Sequence, residues 1–184
     1  MTERPLRADA RRNRERVLAA AQEAFAAEGI SVPLDEIARR AGVGAGTVYR
    51  HFPTKEALFE AAIVDRVDRM TGRAREGLAA ADPGPAFFAF LRQMDSGGGV
   101  KRDLADALGP QGAHAYEGPT RELQAAIGEL LSRAQQAGAV RQDIGLDDLM
   151  SILKGFFIAV HMDTMDSARR ERTFAVILDG LRTR

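Results

Sequence analysis

The 184-residue chain is predicted to be all-α, with an N-terminal three-helix unit over 1–54 and a C-terminal helical bundle over 55–184, about nine helices together. Three observations predict this. Apolar residues recur three and four apart in nearly every segment between breaks, the spacing of one helix face. No run alternates polar and apolar residues for long enough to make a strand. The breaks themselves are glycine and proline clusters at 81–85, 96–99 and 109–112, of the kind that end helices.

Taken in order, Met1 to about Leu6 is expected to be a disordered arm, either a solubilising tail or a basic arm that follows phosphates. The first long helix is expected from about Ala10 to Ala27, where Val17, Leu18, Ala21, Ala24 and Phe25 form a stripe and Gly29 stops it. Val32-Pro33 precedes a helix over Leu34–Ala41, whose apolar face is Leu34, Ile37, Ala38 and Ala41. Gly42 suits the left-handed stop, and Val43 is placed to fill the angle behind it. A short helix over Ala45–His51 follows and ends at Phe52-Pro53, because the residue before a proline is pushed out of helical geometry. Val48 and Phe52 are its core residues. Thr54 caps the next helix, with Glu56 in the first turn. Two helices joined by a short glycine-containing turn form a helix-turn-helix, whose second helix is shaped to enter a DNA major groove.

The residues Ile37-Ala38, Ala41-Gly42-Val43, Gly46-Thr47, Tyr49, His51-Phe52 and Lys55-Glu56-Ala57-Leu58 resemble, without a gap, the N-terminal DNA-binding domain of the TetR/AcrR transcription regulators. The resemblance covers about the first third of the chain. The remainder matches only in length and helical character. The resemblance implies a homodimer on a palindromic operator in double-stranded DNA. It also implies that Ala45 and Gly46 face base edges, although here they are too small to offer more than backbone approach and methyl contact. Thr47 stands where a hydroxyl can hold a phosphate, Tyr49 can touch a thymine methyl or a phosphate, and His51 can donate from the helix end. Arg39, Arg40 and Arg50 are the nearest arginines, either as base contacts or as a solvated face. Lys55 is expected beside a phosphate at the start of the fourth helix.

That fourth helix is expected from about Lys55 to Ala80. Leu58 points into the small unit, and Phe59, Ile63, Val67 and Met70 make a second stripe, so one helix serves both domains. Beyond the break at Ala81-Asp82-Pro83-Gly84-Pro85, helices are expected over Pro85–Asp95, Thr120–Ala137, Asp147 to about Asp163, and Ser167–Leu181. A shorter segment is expected over Lys101–Leu108.

The Asp147 helix is too broadly apolar for one covered face, and Gly155 and Ala159 allow close approach of a neighbour. In proteins that this chain resembles, the last two helices of two chains form a four-helix interface. The expected interface residues are Leu149, Ile152, Gly155, Phe156 and Ala159 with Phe174, Ile177, Leu178 and Leu181. Bundles place ligands between helices. The candidate lining is Phe87, Phe90, Leu91, Met94 and Leu108, then Leu123, Ile127 and Phe157, with His114, Tyr116 and His161 as orienting polar groups. A largely apolar small-molecule effector of unknown identity is the expected occupant. A C-terminal domain that docks a protein partner is the alternative.

Composition narrows the rest. The chain is 45% hydrophobic and 28% charged, enough to bury a core. Its 26 basic and 26 acidic residues cancel, so DNA binding must rest on where charge lies. Six arginines fall within residues 1–16. There is no cysteine, no His/Asp/Glu cluster with metal-ligand spacing and no implied cofactor. GxSxG, P-loop and HExxH motifs are absent, so no enzyme is expected. No apolar run is long enough for a membrane span, and a cytoplasmic protein is expected.

Overall fold

The computed structural model describes residues 3–96, 117–162 and 165–183. Among the described residues there are eight helices and no strand, in keeping with the all-α expectation: α1 Glu3–Glu28, α2 Leu34–Ala41, α3 Ala45–His51, α4 Lys55–Leu78, α5 Pro83–Ser96, α6 Glu117–Gln136, α7 Leu146–Met162 and α8 Ser167–Leu181. Of the expected break at 96–99, Ser96 is the last residue of α5, while residues 97–99, the Lys101–Leu108 segment and the residues Leu108, His114 and Tyr116 lie outside the described residues. No described helix is long and apolar enough to cross a membrane. The chain separates into two compact units, and the division falls inside α4, between Val67 and Asp68.

The first unit is built on α1. Its stripe, Val17, Leu18, Ala21, Ala24 and Phe25, is buried against Ile37, Ala38 and Ala41 of α2, Val48 of α3, and Leu58, Phe59 and Ala62 of α4. Phe25 and Phe59 meet edge to face, ring centroids 5.4 Å apart. Such a pair adds about 0.5–1.5 kcal/mol beyond the area it buries. The Gln22 amide ties α1 to α4 by donating to the Ala62 carbonyl at 2.8 Å and to Asp65 at 2.9 Å.

One expectation is corrected at the N-terminus. No disordered arm reaches Leu6, because α1 already begins at Glu3. Residues 3–16 are rich in arginine, alanine and glutamate, all good helix formers. Pro5 falls within the first turn, where a missing N–H costs no intrahelical bond. Arg11 also pairs with Glu15 one turn on, at 3.6 Å, and Arg12 with Asp9.

The second unit packs α5, α6, α7 and α8. Phe87, Phe88, Phe90 and Leu91 of α5 are buried, as are Leu123, Ile127, Leu130 and Leu131 of α6, Leu149, Leu153 and Phe156 of α7, and Phe174, Leu178 and Leu181 of α8. The Phe156 and Phe174 rings lie 4.9 Å apart. The expected break before α5 is shorter than its composition implied. The helix opens at Pro83, two residues early, because proline is tolerated at a first helical position. Gly84 is required there by space, since a Cβ would come within 2.6 Å of the Ala139 Cβ. Gly138 stops α6 in the left-handed region, at φ 71°. Asp166 caps α8 by accepting from the Arg169 amide at 2.7 Å. The end of the chain is clasped: the Arg141 amide donates to the Leu181 carbonyl at 3.0 Å, and the Arg182 guanidinium lies 4.3 Å from the Phe88 ring centroid.

Candidate functional site

The exposed face around α2 and α3 is assembled by local chemistry. At the end of α2 the Gly42 amide donates to the Arg39 carbonyl at 3.2 Å and the Val43 amide to the Ala38 carbonyl at 3.1 Å. These two bonds make a Schellman stop. It requires Gly42 to be left-handed, and its φ is 63°. Val43 is half-buried against the core. Gly44 then opens α3 in extended geometry, its carbonyl accepting from the Thr47 amide at 2.9 Å.

Two side chains pin α3, Val48 and Phe52, both buried. At about 100° per residue, the direction opposite them is occupied by Gly46, Thr47 and Arg50. Ala45, Gly46, Arg50 and His51 are exposed and Thr47 is half-buried. Tyr49 is 48% exposed, unusual for so large an apolar ring. The site is closed off at its end by α1, where the Arg14 guanidinium lies 5.7 Å from the Phe52 ring centroid. The sequence reading did not single out Arg14 for that contact, since nothing local links it to Phe52.

The fourth helix starts as expected. Thr54 Oγ1 accepts from the Ala57 amide at 3.1 Å. Lys55 is half-buried, and its Nζ donates to the Ser31 carbonyl at 3.2 Å, so it also ties α4 to the α1–α2 loop.

Arg39 and Arg40 are adjacent in sequence but differ in setting. Arg40 bridges two helices, giving Nη1 to Glu28 at 2.6 Å and Nε to Glu36 at 2.7 Å, with its side chain 32% exposed. Arg39 is 72% exposed and meets only Glu36 among the pairs formed here, through Nε at 2.8 Å and Nη2 at 2.7 Å. Hydrogen bonds from Arg39, and then from Arg40, hold the Glu36 carboxyl down to about 2; the bond to Glu36 raises the Arg39 guanidinium, and the bonds to Glu28 and then to Glu36 raise that of Arg40. Glu28 and Glu36 were missed as site residues. The i, i+3, i+4 spacing of Glu36, Arg39 and Arg40 was legible, whereas Glu28 is brought in by the packing of α1.

In the second unit, Phe87, Phe90, Leu91, Leu123 and Ile127 are buried in the core, and Met94 and Phe157 are half-buried. The His161 side chain lies outside the described residues, as do Leu108, His114 and Tyr116. A groove of about 570 Å³ opens elsewhere, lined by Arg92 of α5 and by Ser167, Arg170, Glu171, Phe174, Ala175, Leu178 and Asp179 of α8. Of the residues expected at an interface, Leu149, Phe156, Phe174, Leu178 and Leu181 are already buried within the chain's own unit, and Ile177 is half-buried. Gly155 and Ala159 are exposed, and Ile152 is 39% exposed. Val176, at 71% exposure, stands beside Ile177 on α8 and was not anticipated.

Comparison with known proteins matches two family models. One, described as bacterial regulatory proteins of the tetR family, covers residues 17–62, and the other, described as the C-terminal domain of SbtR-like transcriptional regulators, covers residues 82–183. A TetR transcription regulatory protein of Mycobacterium vanbaalenii is 48% identical, with 97% of this chain and 100% of that one covered and a TM-score of 0.75. A TetR transcriptional regulator of Streptomyces coelicolor is 37% identical over 92% of this chain and 98% of its own, with a TM-score of 0.79. The HTH-type regulator SrpR of Pseudomonas putida is 45% identical over 60 residues, which are 32% of this chain and only 28% of SrpR.

Proposed function

This chain belongs to the TetR family of DNA-binding transcription regulators, and from that premise we propose that it acts as a homodimeric repressor, released from a palindromic operator by a small, largely apolar molecule. As a member of this family it is a regulator and not an enzyme. The observation that carries the DNA-contact reading is the build of α3. Val48 and Phe52 fix its inner side, so Gly46, Thr47, Tyr49, Arg50 and His51 are presented on a rigid helix. Ala45 leaves room for close approach, and Arg39, Arg40 and Lys55 add cationic donors, of which Arg39 and Arg40 are ion-paired within the chain. Arg50 and Arg39 are the side chains in this set best suited to bidentate contact.

Dimerisation is supported by exposed apolar surface on the last two helices, where Ile152 and Val176 face solvent in the single chain. Two heads related by a two-fold axis read two half-sites one helical turn apart. The effector reading rests on the aromatic packing of α5, where Phe87 and Phe88 meet at 5.4 Å. A ligand admitted there switches the protein only if it binds the released state more tightly than the DNA-bound one. A protein partner in place of the effector is favoured by one observation: the groove along α5 and α8 sets Arg92, Arg170, Glu171 and Asp179 beside Phe174, Ala175 and Leu178, a mix of charged and apolar groups suited to a protein surface.

The test begins by selecting the tightest duplex from a random library with the wild-type protein. That duplex is expected to be palindromic, with affinity falling steeply as salt rises. Arg50→Ala is expected to weaken binding by about 1–3 kcal/mol without shifting the melting temperature. Equal operator affinity with and without every small molecule that binds the protein would end the effector reading and leave DNA binding standing.

A further inference from the structure

The DNA-binding unit carries little excess charge. Residues 1–67 hold eleven Lys and Arg against ten Asp and Glu. Local pairing therefore decides what a DNA phosphate meets. On the outer side of α2, four charges run in series. Glu28 holds Arg40 at 2.6 Å, Arg40 holds Glu36 at 2.7 Å, and Glu36 takes Arg39 side-on, at Nε and Nη2. Glu36 is fixed from both sides, with its side chain only 28% exposed, whereas Arg39 at the end of the series is 72% exposed. A guanidinium has five N–H donors in a rigid fork. Glu36 occupies two of those in Arg39, on one edge, and leaves the Nη1–Nη2 end open.

We infer that Glu36 is a specificity-determining residue: by holding the side edge of Arg39 and cancelling its charge, it lets Arg39 engage DNA only where a phosphate or base edge meets the open end of the fork. Freed of Glu36, Arg39 sweeps a wider range of rotamers as an uncompensated cation and binds any nearby phosphate. Glu36 touches no DNA in this account, and it acts through Arg39. The inference rests on the reading of Arg39 as a DNA contact, so the experiment separates the two.

Four proteins are compared: wild type, Glu36→Gln, Arg39→Ala and the double variant. Each is titrated with the duplex selected by the wild type and with a scrambled duplex of the same composition, across a salt series. Glu36→Gln is expected to bind the scrambled duplex roughly two- to five-fold more tightly, the size of one surface ion pair. Its salt slope there steepens by about one. Affinity for the selected duplex changes less, so the ratio of the two falls. The double variant is expected to lose the gain, which excludes Arg40 as its source. A merely structural loss would weaken binding to both duplexes alike and leave their ratio unchanged. If Arg39→Ala weakens selected-duplex binding while Glu36→Gln leaves the ratio and slope unchanged, Glu36 has no such role. If Arg39→Ala changes neither duplex, the contact reading itself fails.

Discussion

Glu36 is also where pH enters the stability of this protein. Its carboxyl falls from an ordinary 4.5 to about 2 in the folded chain, chiefly through the hydrogen bonds from Arg39 and then those from Arg40. A folded value below the unfolded one means the stabilisation is fully present above about 4.5 and is lost as pH falls from there toward 2. The groups are at the surface, so salt screens part of the effect. Glu36→Gln cannot titrate. The gap in urea midpoint between wild type and Glu36→Gln is therefore expected to be widest near neutral pH. It should narrow between pH 4.5 and pH 2 and shrink further in high salt. A gap that stayed constant across that range would mean the carboxylate contributes nothing through its charge.

At the scale of elements, α7 and α8 set a sharper problem than α3. Ile152 and Val176 are apolar and exposed in a single chain, whereas most of the expected interface residues are committed to the core. The exposed pair is thus the better place to probe assembly. Ile152→Arg and Val176→Arg are each expected to leave the monomer fold near its original stability, because neither side chain fills the core. Each is expected to shift sedimentation from dimer toward monomer and to weaken operator binding through the lost second head. A dimer that survived both substitutions would place the interface elsewhere. The contrast with α3 shows what the sequence made legible. Gly42, Val48 and Phe52 were readable because a turn and a seven-residue helix are governed by neighbours in the chain. Val176 was not, because its exposure depends on which face of α8 the other helices cover. Pro83 was misjudged for a local reason: proline was read as a break, and it serves equally well in a first turn.

The whole molecule turns on α4, which runs unbroken from Lys55 to Leu78 while the division between the two compact units falls between Val67 and Asp68. Any signal carried along this helix from the C-terminal unit to the DNA-binding one depends on how stiffly it transmits bending or rotation. Gly72 lies just beyond the division, and an added Cβ there meets nothing within 4 Å. Its helical backbone does not require glycine. Glycine inside a helix costs roughly 0.5–1 kcal/mol relative to alanine, through the freedom lost on folding. Gly72→Ala is therefore expected to stabilise the protein by that amount and to raise the melting temperature by about 2–4 °C per kcal/mol for a chain of this size. Selected-duplex affinity without effector should be unchanged, since no DNA-contact candidate is touched. The ligand response is the more telling readout. If flexing at Gly72 is part of release, the stiffer helix holds its operator at effector concentrations that free the wild type. If α4 moves as a rigid rod, Gly72→Ala melts higher and responds to the effector as the wild type does. Calorimetry fixes the stability effect independently, so a normal response in a stabilised variant assigns the motion to the ends of α4 and not to its middle.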